Sequence, residues 1–101
     1  MELKELEQRL RMKQKQIGKN IDRCCNIAEK RKDTSTFKLI HGMIELNQTQ
    51  AEAMATFMTL AASEKAVQAY QDLQLAVVDF MEAATEGMAE RMEKSTREGK
   101  R

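Results

Sequence analysis

The sequence predicts an all-α fold: an antiparallel three-helix bundle or a long helical hairpin, with coiled-coil-like packing and a dimeric assembly. Three observations point there. The 101 residues include no proline, and the four glycines stand singly. Hydrophobic residues make up 42% and charged residues 33%, but aromatics only 4%, so Ala, Glu, Lys, Gln, Leu and Met dominate. These are strong helix formers. Apolar residues also recur at seven-residue spacing along most of the chain. The composition excludes a β-sandwich, a disulfide scaffold and a collagenous repeat, and it is too apolar for disorder.

The first helix is expected over residues 2–32. Leu3, Leu10, Ile17 and Cys24 take the a positions of a heptad repeat, and Leu6, Lys13, Asn20 and Ile27 the d positions. Lys13 and Asn20 interrupt the seam. Polar residues at such positions fix register or partner number at a cost in stability. Ile21 and Ala28 widen the stripe toward a bundle face. Gly18 weakens the helix by about 1 kcal/mol relative to alanine. Lys30-Arg31-Lys32 then meets Asp33-Thr34-Ser35-Thr36, basic residues suited to a helix end followed by residues suited to an N-cap.

The second helix is expected over residues 36–62. Phe37, Ile40, Ile44, Ala51, Met54, Met58 and Ala61 keep one phase, with Asn47 the polar exception. Leu39, Met43, Leu46, Ala53, Phe57 and Leu60 form a second stripe beside it. A face this broad must touch neighbours on more than one side, which makes this the expected central helix.

The phase slips at Ala62-Ser63-Glu64, so a third helix is expected over residues 64–94, carried by Tyr70, Leu73, Val77, Phe80, Ala84, Met88 and Met92. Two alternatives compete. Thr49-Gln50-Ala51-Glu52 fits a capping box, which would move the break to Asn47-Gln48. Residues 36–94 could also form one helix of roughly 85–90 Å. The break at Ser63 is preferred, because it gives three segments of similar length that cover one another. Residues 1–94 then form a single domain, and residues 95–101 a basic flexible tail.

The net charge of +1 hides a division. Residues 1–38 hold eleven basic and six acidic side chains, whereas residues 39–93 hold two basic and nine acidic. Halves of opposite sign pair within a chain or between chains, so the basic half does not by itself demand an external anion. No stretch reaches the roughly 18 uncharged apolar residues of a membrane span. The charged N-terminus lacks the hydrophobic region of a signal peptide. Adjacent Cys24 and Cys25 are poorly placed to bond to each other and are expected as reduced thiols of a cytoplasmic protein.

Catalytic and metal signatures are weak. His41 and Glu45 share a helix face, but two ligands fall short of the three or four that zinc requires. The di-iron Glu-x-x-His unit is missing, since position 38 is lysine. Cys24-Cys25 lacks zinc-site spacing and a glycine-rich loop to build an oxyanion hole. Asp79, Glu82, Glu86, Glu90 and Glu93 lie three or four apart, and a solvated acidic face explains them. No enzymatic activity, cofactor or metal is expected.

The expected function is a protein–protein interaction module, an adaptor, inhibitor or chaperone-like accessory protein acting through an apolar helix face. In its small size, lack of proline and methionine content the chain is similar to accessory proteins of phages and mobile elements and to secretion chaperones, a likeness of composition without a shared motif. The partner or dimer interface is expected at Leu3, Leu6, Leu10 and Ile17 on the first helix and at Phe37, Ile40, Ile44, Met54, Phe57 and Met58 on the second. Tyr70, Leu73, Val77 and Phe80 complete it on the third. Met43, Met81, Met88 and Met92 are further adaptable surface candidates. The alternative is a nucleic-acid-binding accessory or regulatory protein, its phosphate contacts at Arg9, Arg11, Lys15 and Lys19. Mixed charges and the absence of Trp and Phe from that helix argue against membrane binding.

Overall fold

The computed structural model describes residues 2–98, which form three α-helices: α1 Leu3–Arg31, α2 Thr34–Ala61 and α3 Glu64–Glu98. No strand occurs among the described residues. α3 runs four residues past Lys94, so residues 95–98 belong to the helix and not to a flexible tail; residues 99–101 of that expected tail lie outside the described residues.

Each turn follows from its sequence. At the end of α1, Lys32 takes a left-handed conformation with φ 55°, and its N–H donates to the carbonyls of Ala28 and Glu29. The Asp33 N–H donates back to Ala28 at 2.8 Å, which closes the helix end. The Asp33 side chain then caps α2, accepting from the Thr36 N–H at 3.0 Å. At the second turn Ala62 is left-handed, with φ 47°, and the Ser63 hydroxyl accepts from the Ala66 N–H at 3.1 Å to cap α3. Both turns are two residues long, so neighbouring helices must run antiparallel.

The third helix therefore returns parallel to the first. Lys13 meets Asp79 and Glu82, Asn20 meets Thr85, and Arg31 meets Met92 and Thr96, so the two helices advance together. α1 and α3 form the principal packed pair. Small side chains allow the approach: Cys24, Ala28 and Ala89 are almost completely buried. α2 touches both neighbours far less, which corrects the expectation of a central helix. Its main anchor is Ile40, which packs with Cys24 and Ala89 where the three helices meet, ringed by Ile21, Cys25, Ile44, Met88 and Met92.

The bundle is long and thin, 58 × 23 × 14 Å. Its radius of gyration is 16.6 Å, against about 13 Å for a compact chain of this length. A molecule this thin cannot bury both stripes of α2, so the three helices do not cover one another.

Candidate interaction face

The two stripes of α2 part company. Ile40 is buried, and Phe37, Ile44 and Met58 are partly buried against α1 and α3. Met54 lies on that side too, but it is exposed where the helices open. The second stripe faces away from the bundle: Leu39 is 64% exposed, Leu46 59%, Phe57 69% and Leu60 77%. In all 28 residues of α2 only Ile40 is buried, although this is the most apolar helix of the three.

On α3 the apolar surface continues. Phe80 is 69% exposed; Leu73 and Val77, exposed to a lesser degree, turn instead toward the opening between the three helices. One turn beyond Phe80, Ala84, Gly87 and Met88 share with Leu39 an open hollow of about 830 Å³ between α2 and α3. Leu39 thus joins the outer stripe of α2 to α3. Phe57 and Phe80, expected as core or interface, are not core.

The remaining candidates lie elsewhere. Leu6 is buried in the α1 seam, and Leu3 is exposed at its start. Leu10, Ile17, Ile44, Met54, Tyr70, Leu73 and Val77 surround a second opening of about 450 Å³ between the three helices, together with Met81. Met81 is itself buried, and it accepts a weak contact from the Asn47 amide at 3.1 Å. Met43, Met88 and Met92 are partly buried.

The basic first helix divides by function. Lys13 pairs with Glu82 at 2.7 Å and Asp79 at 3.3 Å, and Arg23 with Glu93 at 2.5 Å. Arg31 donates to the Met92 carbonyl and the Thr96 hydroxyl. Three of the five acidic residues of the α3 series read as a solvated face, Asp79, Glu82 and Glu93, therefore pair with α1. Arg9, Arg11, Lys15 and Lys19 are all exposed. Arg11, Lys15 and Lys19 share the outer face of α1, but Arg9 lies about 200° round the helix from Arg11. The four do not form one patch.

Polar residues inside the α1–α3 seam are matched. Asn20 is fully buried; its amide donates to the Thr85 hydroxyl at 3.1 Å, and its oxygen accepts from Gln16 at 3.0 Å. Among the described residues no buried side-chain nitrogen or oxygen lacks a partner.

The thiols are inactive in character. Burial raises the Cys24 pKa above the ordinary thiol value, helped by the neighbouring Cys25, and burial raises that of Cys25 as well. Both favour the protonated, weakly nucleophilic form. His41 and Glu45 are exposed on α2. Among the described residues no three His, Cys, Asp or Glu side chains gather as a metal site requires, and no helix is long and apolar enough to cross a membrane.

No protein-family model, no curated protein and no solved structure matches the chain.

Leu39, Leu46 and Leu60, the exposed leucines of α2, are not among the residues the sequence reading places at an interface. Their stripe was visible in the sequence, but its neighbour has equal periodicity and similar hydrophobicity. Only the α1–α3 pairing decides which of the two turns outward.

Proposed function

We propose that the chain is a non-enzymatic interaction module that docks an apolar helix of another polypeptide on the outer face of α2, with the adjoining surface of α3 at its rim. One observation carries this reading: the most apolar helix is the least buried. Isolated exposed hydrophobic residues are ordinary, but three leucines and a phenylalanine exposed along one side of a single helix over several turns mark a contact surface. The amphipathic spacing of Leu39, Leu46, Phe57 and Leu60 suits a helical partner, whose anchors recur every three or four residues.

A runner-up reading rests on Arg11, Lys15 and Lys19, which share the outer face of α1 and would contact phosphates. Several of the other basic groups on that helix are already engaged by α3, which weakens it.

Photo-crosslinking in cells separates the two. A photoreactive amino acid is placed at Leu46, at Phe57 or at Lys15. Protein adducts from positions 46 and 57, mapping to an apolar helical stripe of the partner, are the expected result. Nucleic-acid adducts from position 15, with none to protein from 46 or 57, would overturn the proposal in favour of the runner-up.

A further inference from the structure

Resting on that reading of the α2 face, we infer that its occupant is α2 of a second copy, laid antiparallel so that Phe57 of each copy sits over Gly42 of the other. Three observations converge on this arrangement.

The first is charge. α1 is basic and α3 acidic, and they engage each other within the chain through Lys13 and Arg23. α2 contains only Lys38, Glu45 and Glu52 as charged residues, and they border its outward stripe along the far edge of the Gly42 and Thr49 row without falling on the leucine rows themselves. A two-fold axis brings a surface onto itself, so a charge close to the axis meets its own copy. A face without charges avoids that repulsion, and it offers nothing to a strongly charged partner.

The second is size. Beside the outward rows of Leu39, Leu46, Ala53 and Leu60 and of Met43, Gln50 and Phe57 runs a ridge of small residues at seven-residue spacing: Ser35, Gly42, Thr49 and Thr56. Reversing the helix about the point between Thr49 and Gln50 sets Leu39 against Leu60, Leu46 against Ala53 and Phe57 against Gly42. At the two inner pairs a large residue meets a small one, and at the ends leucine packs on leucine, an arrangement that interdigitating helices accommodate. Within its own chain Gly42 has no steric reason to be glycine, because a Cβ there would meet nothing within 4 Å. Gly18 and Gly87 are equally unobstructed, but of the three only Gly42 lies on α2 beside the exposed leucine rows, where it allows a neighbouring helix to approach closely. Thr56 fits the same surface: its hydroxyl donates to the Glu52 carbonyl at 2.9 Å, which leaves no unmet hydrogen bond on burial.

The third is area. Fully covered, the exposed parts of Leu39, Leu46, Phe57 and Leu60 supply at most about 500 Å² per copy, and with the flanking residues of the row the face approaches the ~800 Å² that a standard stable interface takes from each partner.

The test uses the full chain. Sedimentation equilibrium of the wild type should give twice the monomer mass at micromolar concentration. Gly42→Leu should weaken dimerisation by roughly 30-fold or more, while helix content holds or rises, since leucine is the better helix former and meets nothing in its own chain. Orientation is read by oxidative crosslinking in a Cys24→Ala, Cys25→Ser background. A mixture of Leu39→Cys and Leu60→Cys proteins should crosslink, and neither alone should. A monomer at all concentrations, a dimer indifferent to Gly42→Leu, or crosslinking of Leu39→Cys with itself would each overturn the inference. Adducts from positions 46 and 57 to a different protein would overturn it too, yet leave the reading of the α2 face standing.

Discussion

Asn20 of α1 donates a 3.1 Å hydrogen bond to the hydroxyl of Thr85 on α3, and both side chains are buried between two parallel helices. One heptad earlier, Lys13 reaches Glu82 at 2.7 Å. The two positions that interrupt the apolar repeat of α1 therefore both meet polar partners on α3. A purely apolar seam permits sliding by one turn at little cost. With Asn20 in place, a slip would leave a buried amide without partners, at a cost of about 1–3 kcal/mol. Register is set by polar matching here, and depth of burial by Cys24, Ala28 and Ala89.

Replacing Asn20 by alanine should destabilise the fold by about 1–3 kcal/mol, through a lost hydrogen bond and a small cavity. Asn20→Leu combined with Thr85→Val should recover most of that loss, because both polar partners are then removed together. Urea midpoints of the single and double variants measure the coupling. Simple additivity would show that the two side chains do not act as a pair.

Ala62 holds a left-handed conformation, φ 47°, which costs a residue with a Cβ but not glycine. Ala62→Gly should therefore stabilise the chain by about 0.5–1 kcal/mol, raising its thermal midpoint. A fall in the midpoint would mean that the turn between α2 and α3 takes another form in solution.

Two groups give the stability a pH dependence of predictable sign. Hydrogen bonds from the Thr36 hydroxyl and N–H hold the Asp33 carboxyl below its ordinary 3.8. Its contribution is present above that value and is lost as pH falls through the lower folded value. Hydrogen bonds to Glu82 and then Asp79 raise Lys13 above 10.5. Its contribution is present below that value and is lost as pH rises through the higher folded value. The difference in urea midpoint between wild type and Asp33→Ala should thus shrink below pH 4, and that between wild type and Lys13→Met above pH 10.5. Differences that stay flat through those windows would show that neither contact persists in solution.

Burial raises both thiols, but Cys24 is enclosed and Cys25 only partly so. At neutral pH a thiol reagent should modify Cys25 first and slowly, and Cys24 only at the rate of unfolding. Equal and rapid modification would mean that the end of the bundle around Ile40 is open.

Much of the architecture was legible because it is written in local chemistry. Asp33 and Ser63 are residue types that cap helices, and each caps the helix that follows it. The opposite charges of residues 1–38 and 39–93 anticipated the pairing of Lys13 and Arg23 with α3. The arrangement of α2 was not legible, because Ile40 and Leu39 are adjacent, equally apolar and in equally regular stripes. Which one faces inward depends on how closely α1 and α3 approach, and that depends on Ala28 and Ala89, two small residues far apart in sequence. Periodicity records that a residue is apolar at a given angle, not what lies across from it. Arg9 was grouped with Arg11 by closeness in sequence, although two residues of helix already place them on nearly opposite sides.

The exposed stripe of α2 makes the strongest demand on solution behaviour. If it is covered by a second copy of the chain, dissociation and unfolding are linked, and the thermal midpoint must rise with protein concentration. Leu46 sits at the middle of the stripe and is 59% exposed within the chain, so a glutamate there costs little to the isolated bundle. Buried in a contact it would be an unpaired charge in an apolar layer. Leu46→Glu should therefore leave helix content unchanged at low concentration, abolish the concentration dependence of the midpoint and raise solubility. Calorimetry over a hundredfold range of concentration checks this. A wild-type midpoint independent of concentration, matched by that of Leu46→Glu, would mean that the row from Leu39 to Leu60 stays in water without self-association.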